Sequence, residues 1–203
     1  MVKESIPFVF APLAVAVGFG IFQLWLPFAI FLFVTGFMAY FFRDPKRTIP
    51  QGPGLIVSAA DGRVTRIDEL DDAIVVSVFL SPLDVHINRS PIGGRIANID
   101  YVKGRKIPAT SDNASFVNER NSLLIEGEDL TVTCTQIAGI LARRIVCWPK
   151  TGDILERGQK IGLIKFSSRT DLRLPLATEI IVKVGDRVLG GETVIGKIKS
   201  EKG

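Results

Sequence analysis

The sequence predicts a mainly β protein: a β-rich, barrel-sandwich-like domain with an internal repeat, carried behind an N-terminal hydrophobic helical hairpin. Three observations predict it. No residue from Ile6 to Phe42 is charged. After Pro50 the chain turns to short β-branched runs broken by Gly, Pro and Asp. Finally, Gly152-Asp153-Ile154-Leu155-Glu156-Arg157-Gly158 is echoed by Gly185-Asp186-Arg187-Val188-Leu189-Gly190-Gly191, each followed shortly by another glycine, Gly162 and Gly196.

The uncharged stretch covers roughly 37 positions, more than the ~20 that one membrane-spanning helix needs, and Pro27 with the Gly18 and Gly20 pair divides it. Two short helices entering and leaving from one face fit this pattern, as does one span preceded by an interfacial segment; the hairpin is favoured. Its far side falls near Gln23 to Pro27, with Trp25 at an interface, while Arg43, Lys46 and Arg47 hold the exit on the cytoplasmic side and Lys3 supports a cytoplasmic start. A cleaved signal peptide is the competing reading. The run is too long for an ordinary h-region, and no small-residue cleavage site follows it. The expected domains are residues 1–49, membrane-associating, and 50–203, β-rich.

Leu55 to Ser58, Ala73 to Leu80, Leu130 to Thr135 and Glu179 to Val184 read as strands. Gln136 to Cys147 is mostly apolar with two arginines and fits a short helix feeding a strand. The two Gly-Asp segments read as strand-turn-strand units of the kind found in lipoyl and biotinyl domains, where tight turns need angles that glycine adopts cheaply. Neither presents a lysine in a Met-Lys-Met or Asp-Lys-Ala setting, which argues against a carrier; a non-catalytic membrane-anchored adaptor is the alternative reading.

The chemistry is carried by Lys165-Phe166-Ser167-Ser168-Arg169-Thr170-Asp171-Leu172. Ahead of it, in order, stand Phe41-Phe42-Arg43-Asp44-Pro45, Ser58-Ala59-Ala60-Asp61-Gly62, Phe79-Leu80-Ser81-Pro82-Leu83-Asp84-Val85-His86-Ile87-Asn88-Arg89 and Gln136-Ile137-Ala138-Gly139-Ile140-Leu141-Ala142-Arg143-Arg144. This ordered set resembles the phosphatidylserine decarboxylase proenzymes, and its spacing the short form, with the archaetidylserine decarboxylases as close relatives. The family's cleavage segment reads Phe-Gly-Ser-Arg or Leu-Gly-Ser-Thr, so Ser168 falls on the reactive serine and Ser167 stands where the family has glycine; a processing-deficient, lipid-binding relative is the second alternative reading. The resemblance implies self-cleavage between Ser167 and Ser168 into a β chain, 1–167, and an α chain, 168–203, which form a heterodimer or a higher assembly of it. The implied cofactor is pyruvate, as a covalent pyruvoyl group made from Ser168 that forms a Schiff base with the amine of phosphatidylserine and accepts the electron pair released with carbon dioxide. The product is phosphatidylethanolamine. No metal is required.

His86 is the chain's one histidine. The resemblance places it near the pyruvoyl group, suited to proton transfer because the unperturbed pKa of histidine lies near neutrality; satisfying backbone groups at a strand end is the plainer role. Arg89 occupies the position of a second histidine in the long form, a mark of the short subtype. Asp61 matches the family's aspartate and is expected to orient His86 or act more directly, although Asp-Gly is also a common hairpin turn. Cys134 and Cys147 lack metal-ligand spacing and read as buried thiols. The mean hydropathy of +0.30, net charge of +4 and pI near 9.2 suit the cytoplasmic face of an anionic cell membrane. No nucleic-acid recognition motif accompanies the basic charge.

Overall fold

The computed structural model describes residues 2–105, 108, 117–139, 145–165 and 168–198. Ser167, and Ile140 to Arg144 of the fourth motif, lie outside the described residues. The chain divides into two compact units, residues 1–46 and 47–203.

The first unit is the helical hairpin. After a 3₁₀ turn at Lys3–Ser5, α1 (Ile6–Ile21) and α2 (Trp25–Phe41) run back on each other. The reversal is tight because Gln23 takes a left-handed φ of 58° and Leu24 N–H donates to the Phe19 carbonyl at 2.9 Å. Gly20, lacking a side chain, admits the Phe28 ring, and the Phe19 and Phe31 rings stack 5.7 Å apart across the pair. The outer faces are apolar and exposed, at Phe10, Ile21, Leu26 and Phe33 among others. Lys3–Ile21 is long and apolar enough to cross a membrane, and Trp25–Phe41 is a shorter apolar helix.

The second unit is mainly β, as the sequence predicts. Its strands are β1 (Leu55–Val57), β2 (Gly62–Glu69), β3 (Ile74–Leu80), β4 (Ile87–Arg89), β5 (Gly94–Val102), β6 (Arg120–Glu126), β7 (Thr131–Ala138), β8 (Ile145–Cys147), β9 (Ile154–Leu155), β10 (Lys160–Ile164), β11 (Ser168–Leu174), β12 (Thr178–Ile180), β13 (Arg187–Val188) and β14 (Val194–Ile198). Gln136 is therefore in a strand. The helix expected from Gln136 onward does not start there, because Thr131 to Ala138 alternate faces and pair on both sides, with β6 and β11. The sheets are an eight-stranded β13-β2-β3-β11-β7-β6-β5-β9 and two three-stranded ones, β1-β14-β12 and β4-β10-β8. One continuous apolar core draws on all three, from Ile56 through Val78, Leu123 and Leu172 to Ile161 and Ile195.

The Gly-Asp repeat is the visible part of a larger duplication. Strands β4 to β10 repeat the topology of β1, β2, β3, β11, β12, β13 and β14, so one half of the unit is inserted whole between the third and fourth strands of the other. The bonding is the same in both halves. Gly185 N–H donates to Val64 O and Gly152 N–H to Ile96 O, each at 2.8 Å; Gly191 N–H donates to Ser58 O and Gly158 N–H to Ser90 O, again at 2.8 Å. Matching bulges interrupt β2 between Val64 and Arg66 and β5 between Ile96 and Asn98. The pseudo-twofold axis crosses the large sheet at the Leu172–Cys134 rung. Its trace in the sequence is Ser58-Ala59-Ala60-Asp61-Gly62-Arg63-Val64 against Ser90-Pro91-Ile92-Gly93-Gly94-Arg95-Ile96. The shared glycines are required, since a Cβ on Gly62 (φ 149°) would strike the Phe79 carbonyl and one on Gly94 (φ 156°) the Glu126 carbonyl.

In the inserted half a tight turn joins β6 to β7, with Gly127 N–H donating to Leu130 O at 2.9 Å. The corresponding positions in the host half are Leu80 and Ser168, which face each other in register. There the turn is replaced by residues 81–167, the entire second half.

Candidate active site

Ser168 opens β11, the strand between β3 and β7, and lies opposite Leu80 on one side and Ala138 on the other. Alternation sends Ser168, Thr170, Leu172 and Leu174 to the core face and Arg169, Asp171 and Arg173 to the other. Ser168 is 0% exposed, and its Oγ has no hydrogen-bond partner among the described residues. A buried hydroxyl left in this state costs on the order of 1–3 kcal/mol, so it is an expensive group to keep for structure alone.

His86 is buried in the connection from β3 to β4. Its Nδ1 lies 2.9 Å from the Asp84 carbonyl oxygen. A carbonyl only accepts, so Nδ1 carries the proton and Nε2 of the neutral ring is the basic nitrogen. The Asp84 side chain is used otherwise: Oδ2 accepts from Ser81 N–H at 2.8 Å and Ser81 Oγ at 2.7 Å, closing the turn, and Oδ1 accepts from Arg187 at 2.5 Å. The His86 carbonyl accepts from Ile164 N–H at 3.2 Å. β10 thus runs alongside His86 at Ile164, four residues ahead of Ser168.

Among the described residues Asp61 is hydrogen-bonded to Arg47 and Gly190 rather than to His86. Arg47 Nη2 grips both of its oxygens, at 2.9 and 2.7 Å, and Gly190 N–H donates to Oδ1 at 2.8 Å. Arg47 Nη1 reaches on to Glu192 at 3.2 Å, and Glu192 also accepts from Thr48 N–H at 2.6 Å. Burial pushes the Asp61 carboxyl above its ordinary range, with the Gly190 N–H and the Arg47 guanidinium pulling it back. Arg47, read from the sequence as one of the basic exit residues, is a buried clamp between the start of β2 and the turn from β13 to β14. The duplication carries a signal for this that sequence reasoning missed: the position of Asp61 is Gly93 in the other half, so the fold itself does not demand the carboxylate.

Sequence reasoning also missed a row of buried polar side chains beside Ser168. Asn121 Nδ2 donates to Gln136 Oε1 at 3.0 Å, Gln136 Nε2 to Asn88 Oδ1 at 2.9 Å, and Asn88 Nδ2 to Thr170 Oγ1 at 3.1 Å. Arg89 donates to the Gly158 carbonyl at 2.9 Å.

A cavity of about 410 Å³ lies elsewhere, lined by Gly54, Gly93, Leu130 and Arg157 among others. Through the pseudo-twofold these first three positions correspond to His86, Asp61 and Ser168, so the cavity is the image of the site without its reactive groups.

A family model described as phosphatidylserine decarboxylase matches residues 34–196, from α2 to the last strand. Among curated proteins the chain is 46% identical to a phosphatidylserine decarboxylase proenzyme of Symbiobacterium thermophilum, over 97% of this chain and 94% of that one. It is 44% identical to a protein of the same name from Carboxydothermus hydrogenoformans, over 87% and 86%, and 49% identical to one from Zymomonas mobilis, over 81% and 73%. The β architecture, the buried serine at the head of a central strand and agreement along nearly the whole chain lead to one conclusion: this chain belongs to the phosphatidylserine decarboxylase family.

Proposed function

We propose that the chain is a proenzyme that cuts itself between Ser167 and Ser168 and then decarboxylates phosphatidylserine to phosphatidylethanolamine. The observation that carries this reading is the Ser168 hydroxyl, buried and unbonded among the described residues, at the head of a central strand four residues after Ile164, whose N–H bonds the His86 carbonyl.

In the cut, Ser168 Oγ attacks the carbonyl carbon of residue 167 and its proton passes to a base, for which His86 Nε2 is the candidate. The peptide C–N bond breaks as the ester C–O bond forms. Loss of the Ser168 α-proton then expels residue 167 as a free carboxylate and leaves a dehydroalanine, which takes up water and releases ammonia to give the pyruvoyl cap. Ser167, unlike glycine, brings a Cβ to the attacked side, and this slows the step where left-handed angles are needed.

A pyruvoyl group fits at residue 168, since the orphaned hydroxyl marks a place where a small polar group is accommodated at the terminus of a fixed strand. Formed there, it supplies an electron-accepting carbonyl for a substrate amine that is losing carbon dioxide. The protein's own part is to hold that terminus between β3 and β7 and to return a proton to the substrate carbon, for which His86 is again the candidate. The α chain stays assembled with the β chain through β11 on both edges, β13 on β2, and β14 on β1. The apolar hairpin associates with the cell membrane and keeps the β unit at the cytoplasmic interface where the phosphatidylserine headgroup is presented.

Intact mass under denaturing conditions tests the reading. Two chains, one beginning with a pyruvoyl cap at position 168, are expected; a single chain of 22.2 kDa would refute it.

A further inference from the structure

The two halves of the β unit share a backbone plan, and this makes each a control for the other. In the inserted half, Asn88 on β4 pairs with Gly162; the same place in the host half is Ile56, paired with Gly196. Gln136 and Asn121 face each other on β7 and β6, and their image is Leu174 opposite Ile74. Thr170, across from Val78, has Val132 across from Ile125 as its counterpart. All four members of the apolar set belong to the core. The four polar residues are at most 2% exposed.

The fold is therefore able to close this interior with hydrocarbon, and on one side does so. Replacing fully hydrogen-bonded buried polar groups by apolar ones of similar shape is commonly neutral or stabilising, so stability does not account for the polar set. Its placement does. Asn88 stands two residues after His86 and bonds Thr170, two residues after Ser168. Gln136 fixes the orientation of the Asn88 amide, and Asn121 fixes that of Gln136. Every donor in the row points the same way, from β6 toward β11.

We propose that Asn121, Gln136, Asn88 and Thr170 are positioning residues, a directional row of three amides ending on a hydroxyl that sets the spacing between β4, which follows directly on His86, and β11, which Ser168 opens. The proposal rests on the self-cleaving reading above. In the precursor the row aligns the serine with its base; in the cut protein it holds the new terminus of the α chain beside the same histidine.

The test is a time course of chain cutting after synthesis of the full chain into membranes, for wild type, T170V and T170S. T170V removes one oxygen from a nearly isosteric side chain. It takes the acceptor from the buried Asn88 Nδ2, so it is expected to unfold roughly 2–12 °C below wild type and to cut on the order of 100-fold more slowly, the effect of a displacement of about 1 Å between reacting groups. T170S, which keeps the oxygen, is expected to restore the rate, and the fraction of T170V that does cut should show a lowered kcat with KM unchanged. Should T170V fail to fold, the fourfold variant N88I/N121I/Q136L/T170V, which copies the other half, is the folded counterpart and is expected to cut as slowly. A folded T170V or fourfold variant that cuts at the wild-type rate overturns the role of the row, as does a T170S no faster than T170V. A wild-type chain that never cuts overturns the underlying reading as well, and so the two failures are told apart.

Discussion

The Arg47 clamp offers the sharpest energetic prediction. The Arg47 and Asp61 side chains are 7% and 8% exposed, and the guanidinium holds both carboxylate oxygens. Removing one partner of such a pair leaves the other buried and uncompensated, at a cost of about 3–5 kcal/mol. The loss of the Glu192 contact adds little, because that side chain is 26% exposed and water replaces the cation. For a unit running from residue 47 to 203, each kcal/mol moves the midpoint by roughly 2–4 °C. R47M is thus expected to lower Tm by about 6–20 °C. The double variant R47M/D61N removes the stranded charge while keeping an acceptor for Gly190 N–H, and should recover more than half of that loss. The assay is thermal unfolding of the detergent-solubilised full chain, with S168A as background in every sample to keep the chain single. The sign with pH follows from burial. Without Arg47 the folded-state pKa of Asp61 rises further above its ordinary 3.8, so stability is lost as pH rises through that value and the deficit shrinks on acidification. A Tm within about 2 °C of the parent, or a double variant no better than R47M, would refute the clamp.

Other expectations follow from the same geometry. S168A should remain one chain of 22.2 kDa and show no decarboxylation, read by mass and by carbon dioxide release. The Cys134 thiol is pushed up to about 12 by burial, with Asp171 and Cys147 adding to it, so at pH 8 it should resist thiol reagents until the protein unfolds. The Glu192 carboxyl is held below its ordinary 4.5, first by the Thr48 N–H. Its contribution to stability is present above that value and lost as pH falls through the folded-state pKa, so E192Q should flatten the acid limb of a Tm against pH profile.

The sequence displayed the hairpin openly, because an uncharged stretch from Ile6 to Phe42 has few other uses. Strands β1, β3 and β7 were legible from β-branched runs, and the Gly-Asp turns from glycine spacing, whereas of the run Glu179 to Val184 only Glu179 and Ile180 belong to a strand, β12. Less was visible where partners lie far apart in the chain. Gln136 reads as part of an apolar helix until its amide is seen between Asn88 and Asn121, one of them 48 residues away. Asp61 invites pairing with the nearest histidine, whereas its partners are Arg47 and the backbone of Gly190, the latter 129 residues distant. The duplication itself escapes a search for repeats because its host copy is interrupted: β1 to β3 precede their counterparts and β11 to β14 follow theirs, so no single offset aligns the halves.

That interruption bears on when the protein can mature. A ribosome completes the inserted half, β4 to β10, while its host still lacks four strands, and until β11 enters between β3 and β7 no sheet exists to hold Ser168 in place. On the self-cleaving reading proposed above, the strands made after the insert are the ones that arm the cut. A product whose β11 fails to dock between β3 and β7 would keep its serine in an unformed site and stay uncut. On that reading cleavage reports that strand pairing has been completed, with no inspector other than the pairing itself.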